Sequence, residues 1–204
     1  MACYIFGAGT MTALRERPAA GDYVIAADGG WLACRKAGIV PDLLLGDFDS
    51  LAEVPDFPHV ERVPVEKDDT DMMLAAKRGL ALGHRQFHLY GGLGGSRTDH
   101  TMANFQTLVY LARRGAEGWL YGHNEAFTAI DARRITFPAR EKGVLSVFCM
   151  GADACGVSIR GAQYEVESAV LTADFPLGVS NHFVGKEITV SVERGSLLLG
   201  LGEE

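Results

Sequence analysis

Positive charge is scarce in this chain. Its 204 residues carry 19 lysines and arginines against 26 aspartates and glutamates, a formal net charge of −7 with the histidines neutral. That balance argues against a nucleic-acid scaffold and against a polybasic membrane binder, both of which need a concentrated basic face. An acidic chain can still take a polyanionic substrate if a metal ion neutralises the phosphates locally. Long apolar runs are missing as well. Nothing approaches the roughly 18 consecutive apolar residues that a membrane-spanning helix needs. No basic segment followed by an apolar stretch opens the sequence, so a cytoplasmic location is the default expectation. The four cysteines, Cys3, Cys34, Cys149 and Cys155, form no CxxC pair and no zinc-finger spacing with histidine. Reduced, mostly buried thiols are therefore expected. No Gly-Lys-Ser/Thr phosphate loop occurs, so a Walker-type nucleotide site is not expected.

What is present is the profile of a globular chain, 48% hydrophobic and 22% charged, long enough for one large domain or two small ones. The first portion alternates short apolar runs with helical patterns. Strands are predicted at 3–6, 23–27, 43–45, 60–65, 87–90 and 119–121. Helices are predicted at 31–37, 69–82 and 98–113, with Gly38 and Gly83 as stops. Met73, Ala76 and Leu80 share one face of the second helix, and Met102, Phe105, Val109 and Ala112 one face of the third. Such alternation predicts an α/β domain with a mainly parallel sheet, whose ligands bind beyond the carboxyl ends of the strands. After about Asn124 the long helical patterns stop. Short runs separated by glycine and proline follow at 126–130, 134–137, 144–150, 156–159, 164–170, 187–192 and 197–201. They predict an all-β sandwich or partial barrel. The expected division is 1–125 and 126–204.

Asp28, Asp47 and Asp49 fall where such a fold puts ligands, and two further segments are acidic or glycine-rich. In LLLGDFDS (43–50) an aliphatic strand ends in Asp47 and Asp49. Residues i and i+2 of an extended chain share a side, so both carboxylates can reach one cation. Mg²⁺ takes oxygen ligands at about 2.0–2.1 Å. The same residues also suit a turn, or a helix start capped by Ser50. Asp68, Asp69 and Asp71 precede an apolar helix, where first-turn acids complement the helix dipole. Three carboxylates in four positions exceed what capping needs, and they repel one another unless a cation or Lys67 intervenes. GGLGGSRTDH (91–100) offers glycines for close backbone approach to phosphate and Arg97 for bidentate contact with phosphate oxygens. Asp99 and His100 read either as metal ligand and acid/base or as helix caps.

In order along the chain, DGG (28–30), PDLLLGDFDS (41–50), KDDTD (67–71), GGSRTDHTMAN (94–104) and FPLGVSNHFVG (175–185) closely resemble thiamine pyrophosphokinase, as does the ending ITVSVERGSLLL (188–199). The resemblance covers nearly the whole chain. It implies transfer of the terminal pyrophosphate of ATP to the hydroxyethyl oxygen of thiamine, with AMP released. It implies an N-terminal domain that binds ATP and Mg²⁺, a C-terminal domain that binds thiamine, and a homodimer with active sites at the subunit interface. Carried over by motif, Asp47, Asp49 and Asp71 are the metal and catalytic candidates, with Arg97 on phosphate. ATP is expected at Asp28, Gly29, Gly46, Ser50, Lys67, Asp68, Thr70, Gly94, Gly95, Asp99 and His100. Ser180 and Asn181 are expected at the thiamine ring.

Two positions depart from the family pattern. Ser96 separates Gly95 from Arg97 where the family commonly has Gly-Gly-Arg, and His182 follows Ser-Asn where an acidic residue is frequent. Phe183 or Trp31 could offer a ring face to the thiamine cation or pack the core instead. No dedicated general base is evident. Aspartates near the metal, or deprotonation assisted by the metal, would supply one. Two rival readings carry different chemistry: a DxD-type metal-dependent phosphatase or phosphoesterase, and a non-catalytic nucleotide sensor. The phosphatase reading leaves the Ser-Asn segment unexplained, and pure binding by a sensor needs fewer carboxylates than the chain retains.

Overall fold

A computed structural model describes residues 1–48 and 56–203. The chain divides into two compact units. One comprises residues 1–107 and 118–123, the other residues 108–117 and 124–204.

In the first unit, β1 (Cys3–Phe6), β2 (Tyr23–Ala27), β3 (Leu43–Gly46), β4 (Val60–Arg62), β5 (Gln86–Tyr90) and β6 (Glu117–Tyr121) stand in the order β4-β3-β2-β1-β5-β6. The pairings of β1 with β2 and β5, of β2 with β3, and of β3 with β4 are all parallel. Strands buried on both faces read as unbroken apolar runs, and every residue of β1 and of β3 is buried. Ile5, Ile25 and Leu44 are fully enclosed, each worth about 1.5–3 kcal/mol of burial. Strand order reverses beside β1, between β2 and β5. That is the switch point at which open α/β sheets bind ligands.

The helices are α1 (Gly30–Ala37), α2 (Asp71–Ala81) and α3 (Thr98–Ala112). Gly38 ends α1 in the left-handed region at φ 66, with its N–H on the Arg35 carbonyl and Ile39 N–H on Cys34. Thr70 caps α2, its hydroxyl accepting from the Met73 N–H at 3.2 Å. Two expected helix faces are corrected. In α2 the buried residues are Met72, Ala75, Ala76 and Gly79, rather than a face holding Met73 and Leu80. Gly79 is the reason: a Cβ there would lie 2.5 Å from the Phe87 ring and 2.9 Å from Cys3 Sγ, so helix and sheet touch through the glycine. In α3 Met102 is exposed, and Asn104, Thr107, Leu108 and Leu111 are buried beside Val109 and Ala112. The buried Asn104 carries the correction, because its amide donates to the Gly92 carbonyl at 2.8 Å and orients that face inward.

In the second unit all pairing is antiparallel. One ladder runs β12-β9-β14-β7, with β7 (Glu125–Asp131), β9 (Val144–Cys149), β12 (Gly178–His182) and β14 (Ser196–Gly202). The other runs β11-β10-β13-β8, with β8 (Arg134–Phe137), β10 (Ala154–Arg160), β11 (Val166–Leu171) and β13 (Ile188–Ser191). Burial alternates along β9, where Leu145, Val147 and Cys149 point inward, and along β13, where Ile188 and Val190 do. Strand β14 is instead buried at six consecutive residues, Ser196 to Leu201. Two antiparallel ladders with inward-facing apolar residues give the expected β-sandwich. The sequence pattern predicts no strand over 178–182, where β12 forms. Gly178, Ser180 and Asn181 are poor strand formers, Ser180 adopts φ 59, and the register slips between Gly178 and Asn181. Ladder bonding to β9 overrides that propensity.

Among the described residues no helix is long and apolar enough to cross a membrane. The four cysteines are free, with Cys3, Cys34 and Cys149 buried as expected.

Candidate active site

At the carboxyl end of the first unit's sheet, four charged residues converge from four places. Asp28 follows β2, Asp47 follows β3, Lys67 lies in the segment between β4 and α2, and Asp71 opens α2. The Lys67 ammonium sits 2.6 Å from Asp47 Oδ2 and 3.1 Å from Asp71 Oδ1. The side chains are 14%, 9% and 25% exposed respectively, so the pairs are poorly screened by solvent. Burial pushes the Asp71 carboxyl above the usual aspartate range, Lys67 opposes that, and the charges of Asp47 and Asp28 reinforce it. Burial would lower the Lys67 ammonium, but its contacts with Asp47 and Asp71 outweigh it and hold the pKa above the usual lysine value. The cluster is thus a partly desolvated carboxylate set gathered about one cation.

The local backbone explains how adjacent strands bring Asp28 and Asp47 together. Asp28 adopts φ 48, and its N–H donates to the Leu45 carbonyl at 2.8 Å. Gly46 lies against it: a Cβ at Gly46 would be 3.0 Å from Asp28 Cα and 3.1 Å from its nitrogen. Gly46 therefore serves close packing between the two strand ends. Phe48, buried at 3%, takes φ 61. Left-handed backbone at a bulky residue is uncommon and marks strain. The expected sharing of one side by Asp47 and Asp49 depends on the placement of Asp49. Asp49 and Ser50 lie outside the described residues.

The remaining acidic positions separate. Asp69 is held by Lys77 through both carboxylate oxygens, at 2.7 and 2.6 Å, Asp68 is exposed, and Thr70 is the α2 cap. The glycine-arginine segment forms a second group at the start of α3. Gly94 and Gly95 adopt φ 74 and 85 and, like His100, are exposed. Arg97 grips Asp99 in a fork, Nη2 to Oδ2 at 2.7 Å and Nε to Oδ1 at 3.0 Å. That contact brings the Asp99 carboxyl down to about 2. Both side chains are about two-thirds exposed, at 65% and 64%, so the pair adds little stability and the guanidinium is open to an incoming anion. Gly29, the residue before α1, keeps helical backbone at φ −59.

One further contributor carries almost no sequence signal. The loop Gly7-Ala8-Gly9 after β1 joins the glycine-rich loop after β5. Gly7 N–H donates to Tyr90 at 2.8 Å and Gly9 N–H to Gly91 at 2.9 Å. A Cβ at Gly9 would meet the Gly91 carbonyl at 2.5 Å. The contact falls at the switch point beside β1. Its only sequence signal is a Gly-x-Gly behind a buried strand, which is common.

The residues suit a hard divalent cation in kind, since Asp47 and Asp71 converge oxygen donors on one position. Among the described residues, no three His, Cys, Asp or Glu side chains stand in metal-holding geometry. Lys67 holds that position instead.

In the second unit, Ser180 is exposed at φ 59, and its N–H donates to Ser146 Oγ at 3.2 Å. Asn181 is buried at 5%. Its Oδ1 accepts from the Tyr164 N–H at 2.9 Å and its Nδ2 donates to the Tyr164 carbonyl at 2.6 Å. It therefore clamps the backbone of Tyr164, a residue 62% exposed. Phe183 is buried under the Arg140 guanidinium, 5.2 Å from its ring centre, and packs the core. Trp31 stacks at a tilt on Phe57, 5.8 Å between centres.

Comparison with known proteins is consistent along the chain. The family model for the thiamin pyrophosphokinase catalytic domain matches residues 16–120, and that for the thiamin pyrophosphokinase vitamin B1 binding domain matches residues 133–197. Thiamine pyrophosphokinase of Bacillus subtilis (strain 168) is 25% identical over 182 residues, 86% of this chain and 85% of that protein. The crystal structure of thiamine pyrophosphokinase from Bacillus subtilis superposes with a TM-score of 0.89 at 23% identity, covering 100% of both chains. That of thiamin pyrophosphokinase from Geobacillus thermodenitrificans gives 0.84 at 23% identity, covering 100% of this chain and 98% of the other. These two likenesses speak to the fold.

Proposed function

Because the chain belongs to the thiamine pyrophosphokinase family, we infer that it converts thiamine and ATP into thiamine diphosphate and AMP. The thiamine hydroxyl oxygen attacks the β-phosphorus of ATP. A new O–P bond forms there, the bridge between the α- and β-phosphates breaks, AMP leaves with the bridging oxygen, and the hydroxyl proton is released. The observation that carries the reading is the Asp47–Lys67–Asp71 cluster at the sheet's carboxyl end. Neither the phosphatase nor the sensor alternative finds support in the family matches.

The residue roles are part of the proposal. The kinase reaction uses a divalent cation, which we take to be Mg²⁺, with Asp47 and Asp71 among its holders and Asp49 joining them. Bound there, the cation neutralises charge on the phosphoryl oxygens. Asp28 adds to the negative field that draws the cation in. Gly94, Gly95 and the start of α3 offer backbone N–H groups to phosphate. Arg97 exchanges its exposed Asp99 contact for phosphate oxygens, a bidentate match of similar geometry. Ser180 meets thiamine, and Asn181 acts at one remove by holding Tyr164 in place. The division at 125/126 separates nucleotide from vitamin binding, and the working form is a homodimer with active sites at the subunit interface.

Incubation with both substrates and separation of the nucleotides tests the activity. AMP and thiamine diphosphate should appear in equal amounts. ADP or inorganic phosphate as the main product, or turnover that ignores thiamine, refutes it. Sedimentation at working concentration tests the dimer.

A further inference from the structure

We propose that Lys67 is an internal counter-ion that occupies the cation position between Asp47 and Asp71 while the metal nucleotide is absent, and yields it when that nucleotide binds. The inference rests on the reading that Asp47 and Asp71 hold the divalent cation. Its basis is the placement of a single ammonium 2.6 Å from one carboxylate and 3.1 Å from the other. The two carboxylates come from different elements, the end of β3 and the start of α2. Without a positive charge between them they would repel across a poorly solvated gap. Lys67 removes that repulsion.

The same placement competes with a bound metal. A divalent ion drawn to these two carboxylates, at about 2.0–2.1 Å from its oxygen ligands, would meet the ammonium between them, and cation–cation repulsion sets the two against each other. Lysine suits the exchange. Its charge is a compact point on a flexible four-carbon stem, not a fork fixed to the carboxylate plane. Lys67 also lies in a segment outside helix and strand, between the exposed Glu66 and Asp68, so the side chain can swing without disturbing a ladder. Once displaced, the ammonium is a ready partner for the phosphate oxygens that arrive with the metal.

The test titrates Mn²⁺ alone into nucleotide-free protein, with the free ion read by electron paramagnetic resonance. Lys67→Met keeps the stem and removes the charge. It should bind Mn²⁺ at least about fivefold more tightly than wild type, the lower end of ordinary coupling between competing ligands. Its melting temperature in EDTA should fall below that of wild type, and Mn²⁺ should restore more of it. Equal or weaker Mn²⁺ binding by Lys67→Met overturns the proposal. If that variant does not fold, Lys67→Arg decides. It keeps the charge and holds carboxylates in a fork, so it should bind Mn²⁺ more weakly than wild type, and binding as tight as wild type overturns the proposal. Full wild-type turnover in EDTA would instead remove the metal reading on which the proposal stands.

Discussion

Gly46→Ala offers a sharp test of how the site is assembled. The added Cβ would lie 3.0 Å from Asp28 Cα, 3.1 Å from its nitrogen and 3.2 Å from its Cβ. Carbon contacts are comfortable at about 3.5–4.0 Å, so the two strand ends must part by a few tenths of an ångström. Asp28 has little room to yield. It is already at φ 48, and its N–H is tied to Leu45 at 2.8 Å. Overpacking of this kind costs about 1–3 kcal/mol. The displacement is passed directly to Asp47, the next residue, and through it to Lys67. Misplacement by a full ångström costs on the order of 100-fold in rate, so a fraction of that should lower turnover about tenfold. Gly38→Ala is the control. Gly38 is left-handed at φ 66, nothing lies within 4 Å of a Cβ there, and it caps α1 away from the charges. It should lose about 1–2 kcal/mol with turnover intact. Urea denaturation and steady-state kinetics on the two variants decide the matter. Comparable stability losses with equal, undiminished turnover would refute the claim that Gly46 sets the carboxylate geometry.

Other substitutions probe the remaining links. Asp71→Asn should keep stability within about 1 kcal/mol, because the lost helix-dipole and Lys67 contacts are offset by relief of burial and repulsion. It should lower turnover by about 10²–10³-fold; a variant within threefold of wild type would remove Asp71 from the chemistry. Asn181→Ala leaves a backbone donor and acceptor of Tyr164 unpaired, at about 1–3 kcal/mol. It should raise KM for thiamine and leave KM for ATP unchanged, and a rise in both would argue for general damage. Asp22 accepts from Ala2 N–H at 2.7 Å and Ala19 N–H at 3.0 Å. Burial would raise its pKa, but those donors and the N-terminal charge prevail and lower it. A depressed folded pKa gives stability that is present above the unfolded value, about 3.9, and lost as pH falls through the folded value. Asp22→Asn should therefore flatten that part of the acid limb in melting temperature against pH; parallel curves would refute the assignment.

Local order was readable along most of the chain because it is encoded locally. The all-apolar run 43–45 declares a doubly buried strand, and Thr70 before an apolar helical pattern declares a helix start. The helix faces were harder. Gly79 and Asn104 look like interruptions of an apolar stripe, yet each is buried because it makes a specific contact, one with the Phe87 ring and the other with the Gly92 carbonyl. Strand β12 was invisible for the same reason, since its ladder partners lie more than 30 residues away in sequence.

By itself the sequence determined the two-part architecture, the order of the motifs and the stock of carboxylates, because periodicity and turn chemistry act between neighbouring residues. Only the tertiary structure decided which carboxylates meet. The register of β2 against β3 sets Asp28 beside Gly46, Phe48 turns left-handed directly after Asp47, and Lys67 reaches back 20 positions to Asp47. Asp69, two residues from Asp71, is drawn off by Lys77. A run of aspartates states that negative charge is available. The direction in which each side chain points, and the cation it finds there, follow from packing that no local pattern records.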